Sequence, residues 1–528
     1  MAGWKFFKGT RENWFSHEFY NWMDSMACPA SGALHERCVP GRIREALAPY
    51  PDMFLTEVRY VPEGTWKERE KPLLDNIPAF YFVRIKEFLS VVHIADLRVF
   101  LPVHWNHRFM GIAGAGTNME TDWDKEQTTN LTSWPMAVRN GFACVVCDGA
   151  TGMFVDNTWG FKDGDLDWEM IRNWAFHGTH DMTVTAKAVV EACYGEPIYK
   201  SYMHGTSGGG RQIILEAEQY PEDYDGLWAD GPLYDFYNLM FSCLWAALVH
   251  NNESHKVDLS KYKLAHRLAR SKRELRGIPY DLSEPCWQEF VKNLPGEETD
   301  TDMITVEDVL VMMKVWNGPV LSGGKRITYG FGPEIIQWPV GPRQFGYLKL
   351  HDDGTITQIP FAVQFLRWLI RDPGWDFATC TYEEFEEIYL SHKKEFADFD
   401  FYKADLGRFA AHGGRLMITH GTGDHVSPHQ LTRDYYYKAL RRFGDESRTA
   451  GCLRVFFPEY GGHALYDWDG PNVTNASGYT ALMQWVEEGI PPEKLRTANY
   501  DFRKDKLIRE SCVEVFEADE EDPFGVCV

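Results

Sequence analysis

Positive charge is scarce in this 528-residue chain: 54 Lys and Arg stand against 77 Asp and Glu, for a formal net charge of -23. A polyanion would be repelled by such a surface, so nucleic acid and anionic membranes are excluded as partners. No run of residues is apolar enough to span a bilayer. The N-terminal residues Met1 to Arg11 are interrupted by Lys5, Lys8 and Arg11 and lack the apolar core of an export signal, which predicts a cytoplasmic protein, the alternative being a secreted one whose leader has been removed. Cysteine is present but not patterned. The eleven residues run from Cys28 to Cys527 without the dense spacing of a disulfide scaffold, and most are expected to be reduced and buried. Cys28 and Cys38 are close enough in sequence to meet in an N-terminal loop, and the sequence does not decide whether they do. Cys144-Val145-Val146-Cys147 fits a CxxC pattern, but it lies inside the apolar run Phe142 to Asp148. Residues three apart on a strand face opposite sides, which argues against a metal or redox pair. Internal repeats and low-complexity segments are absent as well.

What is present is a globular composition, 44% hydrophobic, with strand-then-helix patterning over residues 80 to 235 and again over 405 to 490. That alternation predicts one α/β sheet interrupted by a long insertion. The expected organisation is an N-terminal arm with the first part of the core over 1–235, an inserted lid over 236–400, the second part of the core over 401–510, and an acidic tail over 511–528. The insertion is rich in aromatics, including Tyr234, Phe236, Tyr237 and Trp245 at its entry and Trp338, Phe345 and Tyr347 farther in. Any one of these is better read as packing than as ligand contact, and Tyr234 and Trp338 are retained as the candidate substrate contacts.

The most informative segment is Gly205-Thr206-Ser207-Gly208-Gly209, set between the strand-like Tyr199–His204 and a helix-like run that stops at Pro221. Glycines two before and two after a serine permit the sharp strand-to-helix turn that exposes a nucleophile. A serine hydroxyl needs a histidine to accept its proton and an acid to orient that histidine. Asp424 follows the strand-like Arg415–Thr419, and His463 follows the strand-like Leu453–Phe457, giving the chain order Ser, Asp, His of α/β-hydrolases. Asp230, at the end of Gly226-Leu227-Trp228-Ala229-Asp230, is a rival carboxylate, expected at the pocket mouth where it tunes substrate choice. His180 and His204 are expected to be structural, and Arg211-Gln212 to anchor the nucleophile helix.

These segments resemble the tannase and feruloyl esterase family over most of the chain. The likeness includes Asn106-His107-Arg108-Phe109 with Ala113-Gly114-Ala115-Gly116, Trp174 to His180, Tyr220 to Gly226, Lys314 to Pro319, and Asp372 to Phe377. The resemblance implies an α/β-hydrolase fold with a large lid and a serine hydrolase acting on a small carboxylic ester, most naturally of an aromatic acid such as a hydroxycinnamate, gallate or benzoate. No cofactor is implied. Backbone N–H groups of Gly208 and, from the glycine loop, Gly116 are the expected oxyanion donors. An acyltransferase or cyclase reusing the same serine, and a catalytically silent binding protein, are the alternatives.

The chain departs from the family pattern in two ways that change its chemistry. Family members commonly pair a cysteine before the serine with one after the histidine; here those positions hold Thr206 and Ala464. The acidic Asp-Gly repeat that binds calcium in the family's lid has no counterpart between Asn251 and Thr301, so no metal is expected. The nearest acidic cluster, Glu297 to Asp302, lacks an internal glycine turn and reads as a solvated loop.

Overall fold

The computed structural model describes residues 31–65, 77–90, 93–114, 116, 119, 134–151, 158–276, 278–300, 302–335, 359–397, 403–463, 471–501 and 506–517. Its centre is a nine-stranded sheet. Three antiparallel strands, β1 (Met53–Val61), β2 (Phe80–Phe88) and β3 (Ile94–Pro102), form one wing. Next come β4 (Arg108–Ile112), β5 (Ala143–Cys147), β6 (Lys200–Thr206), β7 (Gly226–Asp230), β8 (Arg415–Thr419) and β9 (Leu453–Phe456), in the sheet order β1-β2-β3-β5-β4-β6-β7-β8-β9. From β5 to β9 every neighbouring pair is parallel.

Parallel strands are covered on both faces, so they read as near-continuous apolar runs. In β4 and β5 every residue is buried. One face packs on helices α2 (Gly178–Tyr194) and α7 (Gln430–Phe443), the other on α1 (Trp134–Arg139) and α8 (Asn475–Glu488). Cys147 joins the first of these cores and Cys144 the second, as expected for strand residues on opposite faces. Helix α8 is fastened through Glu487, whose carboxylate accepts from Arg108 Nε at 2.7 Å and from the Tyr202 hydroxyl at 2.5 Å. Each of these groups is buried, and removing the Glu487 carboxylate would leave the Tyr202 hydroxyl and two guanidinium N–H groups of Arg108 without their acceptor.

Helix α3 (Gly208–Gln219) starts directly after β6 and ends before Pro221, which cannot continue it. Between β7 and β8 the chain builds a helical insertion that includes α4 (Phe236–Asn252), α5 (Leu259–Ser271) and α6 (Val306–Asn317). Helix α4 is buried around its whole circumference from Phe236 to His250 and forms the axis of the insertion. Phe236, Trp174 and Trp368 are each at most 1% exposed and meet edge to face there, so truncating any of them to Ala would cost about 3–5 kcal/mol. Helix α6 begins with a capping box, Thr305 Oγ1 accepting from Asp308 N and Asp308 Oδ2 from Thr305 N.

The C-terminal part differs from the sequence expectation. The expected acidic tail from 511 is ordered through Glu517, because β12 (Lys506–Glu514) pairs with β11 (Lys494–Asp501), which in turn pairs with β10 (Asn472–Val473). Phe516 N then donates to Val455 O at 2.7 Å, and the Phe516 ring packs against Tyr436 and Phe457. The apolar residues Val513, Val515 and Phe516 supply the packing that the neighbouring carboxylates obscure in the sequence.

Candidate active site

The ends of β6, β7, β8 and β9 lie in one register row: Thr206 opposite Asp230, Asp230 opposite Thr419, and Thr419 opposite Phe456. The loops leaving this row carry Ser207, Gly231, Asp424 and His463. Ligands of open α/β sheets bind at this carboxyl edge.

Ser207 turns the chain from β6 into α3 with φ 60° and ψ -120°, a region that costs a side-chain-bearing residue about 1–3 kcal/mol. The turn is possible only because its glycines lack side chains. A Cβ on Gly205 would stand 2.4 Å from Gly209 O, and one on Gly209 would stand 2.5 Å from Gly114 O. Ser207 N donates to Asp230 O at 2.9 Å, and Ser207 O accepts from Arg211 N at 3.0 Å. The serine is therefore held from strand and helix at once.

Asp424 is fixed before it meets the histidine. Its Oδ1 accepts from Val426 N at 2.7 Å and Ser427 N at 2.9 Å, and its Oδ2 lies 2.7 Å from His463 Nδ1. Burial alone would raise the Asp424 carboxyl, but the charge of His463 and the hydrogen bonds from His420 and His463 hold it well below the usual carboxylate range. An ionised Asp424 can only accept, so His463 carries its proton on Nδ1 and presents Nε2 as the basic nitrogen.

The loops bearing these two residues are zipped together by main-chain bonds. His420 N donates to Phe456 O at 2.9 Å, Thr422 N to Pro458 O at 3.0 Å, and Gly423 N to Gly461 O at 2.9 Å. Tyr460 N completes the set by donating to Thr422 Oγ1 at 2.7 Å. The insertion grips the same place, since Arg270 of α5 lies 5.0 Å over the Tyr460 ring while bonding Glu334 at 2.7 Å. Burial raises the Glu334 carboxyl, and the charge of Arg270 with the His266 hydrogen bond overcomes this to bring it down to about 2. A cleft between insertion and core is lined by Tyr280, Trp287 and Phe331 on one side and Thr422, Asp424 and Tyr460 on the other.

Asp230 lies beside this pair without bonding His463 directly. Its Oδ1 accepts from Thr419 Oγ1 at 2.6 Å, and Trp228 Nε1 donates to the same hydroxyl at 2.9 Å. Burial, opposed by the Thr419 hydrogen bond and by the charges of His463 and His420, pushes its carboxyl up to about 6.

The glycine loop runs against the elbow. Gly116 has φ +61°, and a Cβ on Gly208 would fall 2.0 Å from Gly116 O and 2.7 Å from Gly116 N. Gly208 and Gly116 are thus brought side by side. Tyr234, expected as a substrate contact, is instead 1% exposed in the core, stacked on Tyr435 with its hydroxyl 3.2 Å from Thr432 Oγ1. Trp338, Phe345 and Tyr347 lie outside the described residues, as do Cys28 and Ala464. His204 stacks on Trp228 at 3.9 Å and is pushed down to about 3 by burial, while His180 pairs with Asp223 at 2.7 Å. Arg211 reaches the Trp174 and Ala175 carbonyls. In the acidic loop Asp302 pairs with Lys261 at 2.8 Å.

Sequence reasoning gave no role to His420, which the structure places 3.2 Å from Asp424 Oδ2 on the side away from solvent. Its Nε2 also lies 2.9 Å from Ser427 O, a pure acceptor, so Nε2 carries the proton and Nδ1 accepts from Thr432 Oγ1 at 2.6 Å. The signal available was a histidine closing an otherwise apolar strand.

This sheet order, with an elbow serine after its central strand and a carboxylate–histidine pair on later loops, defines an α/β-hydrolase. The family model of tannase and feruloyl esterase matches residues 91–273 and 286–515. A probable feruloyl esterase of Arthroderma benhamiae is 27% identical over 417 residues, 75% of this chain and 73% of that one. Among solved structures, the tannin acyl hydrolase of Aspergillus niger superposes with a TM-score of 0.72 at 16% identity, covering 93% of each chain. The feruloyl esterase B of Aspergillus oryzae gives 0.71 at 19% identity, covering 92% of this chain and 96% of the other. The chain belongs to the tannase and feruloyl esterase family, and it is a carboxylic ester hydrolase. Among the described residues no helix is long and apolar enough to cross a membrane.

Proposed function

We propose that Ser207, His463 and Asp424 are the catalytic triad and that the substrate is an ester of an aromatic acid, of hydroxycinnamate, gallate or benzoate type. The observation that carries the triad is the 2.7 Å contact between Asp424 and His463 on loops that leave the same strand-end row as the strained Ser207 elbow. The aromatic acyl group rests on the family and on the feruloyl and tannin esters named for its relatives.

In this reading His463 Nε2 takes the Ser207 proton as Oγ attacks the ester carbonyl. The new negative charge lies against the Gly208 and Gly116 amides, which are preorganised by the close approach of their loops. As the tetrahedral carbon collapses, the ester C–O bond breaks and His463 returns its proton to the leaving alcohol. Water, deprotonated by His463, then releases the acid and restores Ser207. Asp424 keeps His463 in the Nδ1–H tautomer throughout.

The test is a panel of methyl esters of hydroxycinnamic, hydroxybenzoic and straight-chain aliphatic acids, with products weighed by mass spectrometry in the presence and absence of an added alcohol. Aromatic esters should be hydrolysed with a kcat/KM at least about tenfold above the aliphatic ones, a margin that pocket contacts readily supply. Preference for aliphatic esters would remove the aromatic assignment, and transfer to the alcohol as the main outcome would replace hydrolysis with acyl transfer. Ser207→Ala should lower turnover by several orders of magnitude while the protein stays folded.

A further inference from the structure

Gln212 follows Gly208 by one helical turn and is 1% exposed, so its amide faces the protein interior on the elbow side of α3. It has two partners there, one on each of two other elements. Gly114 N lies 2.7 Å from Oε1, and Nε2 lies 3.0 Å from Thr179 Oγ1 on α2, itself 2% exposed. The orientation of the amide is settled by chemistry. Gly114 N–H can only donate, so the oxygen must face it, and the amide nitrogen must then donate to Thr179.

Gly114 begins the same short loop that brings Gly116 against Gly208. Gly114 and Gly116 have no side chains with which to fasten themselves, and among the described residues their close contacts with the elbow are backbone against backbone: Gly114 O against Gly209, and Gly116 O against Gly208. Those contacts limit how close the loop comes but do not stop it from moving away. The bond from Gly114 N to Gln212 does, and it anchors the loop to the helix that carries the nucleophile.

We propose that Gln212 is a positioning residue for the oxyanion hole: by holding Gly114 to the nucleophile helix it sets the place of the Gly116 N–H, an inference that rests on the triad and oxyanion reading above. A donor fixed in this way favours the tetrahedral, negatively charged species over the neutral ester. Losing the anchor therefore acts on turnover more than on ester binding.

The experiment compares wild type, Gln212→Met, Thr179→Val and Ser207→Ala. Each is measured for folding by Tm, for kcat and KM on one ester, for inhibition by phenylboronic acid, whose serine adduct is tetrahedral and anionic, and for labelling by a fluorophosphonate. Gln212→Met keeps the side-chain length but removes the acceptor, and kcat should fall about 10- to 100-fold, below the loss expected when an oxyanion donor is deleted outright. KM should stay within about threefold, and phenylboronic acid should weaken in parallel with kcat. Thr179→Val leaves the Gly114 bond in place but frees the amide, and should show the same pattern at about 3- to 10-fold. A folded Gln212→Met with wild-type kcat, or one whose kcat falls while phenylboronic acid binds unchanged, overturns the proposal. Should Gln212→Met not fold, Thr179→Val decides: boronate affinity unchanged refutes it. Undiminished labelling of Ser207→Ala would instead defeat the triad reading, which separates the two failures.

Discussion

The Thr419 hydroxyl donates a 2.6 Å hydrogen bond to Asp230, which ties this carboxylate to the neighbouring strand rather than to His463. Asp424 occupies the position facing Nδ1. Two strand-end acids so close together invite a direct comparison. Asp424→Asn should lower kcat by about 10,000-fold with KM little changed, since an amide nitrogen facing Nδ1 favours the wrong tautomer of His463. Asp230→Asn should keep kcat within about threefold and change KM or the relative rates of different esters. Steady-state kinetics of both variants on two esters decides the matter, and abolished turnover in Asp230→Asn alone would move the acid to the earlier strand.

Asp230 also leaves a signature in stability. Its folded carboxyl titrates at about 6, against about 3.9 for an unfolded aspartate, so the fold prefers the protonated form. The stabilisation this gives is complete below the unfolded value and is lost as pH rises through the folded one, leaving a charged group in a place that disfavours it. Asp230→Asn should therefore match wild type in stability near pH 4 and exceed it near pH 8, by on the order of 1–2 kcal/mol. Thermal melts of both proteins across that range test the sign. A variant less stable than wild type at pH 8 would mean that the fold favours the charged carboxylate.

Gly231 is the point where the nucleophile's neighbouring loop touches the acid–histidine pair. It has φ +49°, and a Cβ there would fall 3.0 Å from Asp424 Oδ2 and 3.2 Å from His463 Nδ1. Gly231→Ala strains the backbone and presses on both groups, and a shift of about 1 Å in such a pair costs about 100-fold in rate. The expected outcome is a folded protein with kcat reduced about 10- to 100-fold. A variant with wild-type turnover would show that the pair has room the structure does not give it.

The residues of the proposed triad were legible where local pattern and physical need coincide. A serine between two obligatory glycines, and polar residues closing apolar strands, mark the carboxyl edge of a parallel sheet without any knowledge of its neighbours. Gly208 was legible from its place directly after the serine and Gly116 through family resemblance, and their adjacency depends on a contact spanning 92 residues that no local pattern encodes. Gln212 was read as an anchor, but its partner Gly114 is 98 residues away, so what it anchors could not be seen. Tyr234 shows the opposite failure: an aromatic at the entry to an insertion looks like a ligand contact until its burial among Tyr435 and Thr432 is known. The C-terminal strand was masked by its own charge, since Lys506, Arg509, Glu510 and Glu514 interrupt its apolar residues and its main-chain pairing with β11 is not encoded in any local pattern.

The family's disulfide positions hold Thr206 and Ala464, so something other than a covalent bond keeps the catalytic loops in place. The bonds from Thr422 to Pro458, Gly423 to Gly461 and Tyr460 to Thr422 join the acid and histidine loops, and Ser207 N is held by Asp230 O. Every cysteine among the described residues is a free thiol, and the neighbouring Cys193 thiol together with burial pushes the Cys38 thiol up. Reducing agents should then leave kcat/KM unchanged and Tm within about 2 °C, whereas loss of a structural disulfide typically removes about 2–5 kcal/mol and several degrees. EDTA should be equally silent, because the carboxylates of Asp302 in the acidic loop and Asp308 in α6 are taken by the Lys261 ammonium at 2.8 and 2.7 Å. Melting curves with each reagent separate the cases. A fall of several degrees with reductant would reveal a covalent cross-link, and the same fall with EDTA would show that these carboxylates hold a cation in place of Lys261.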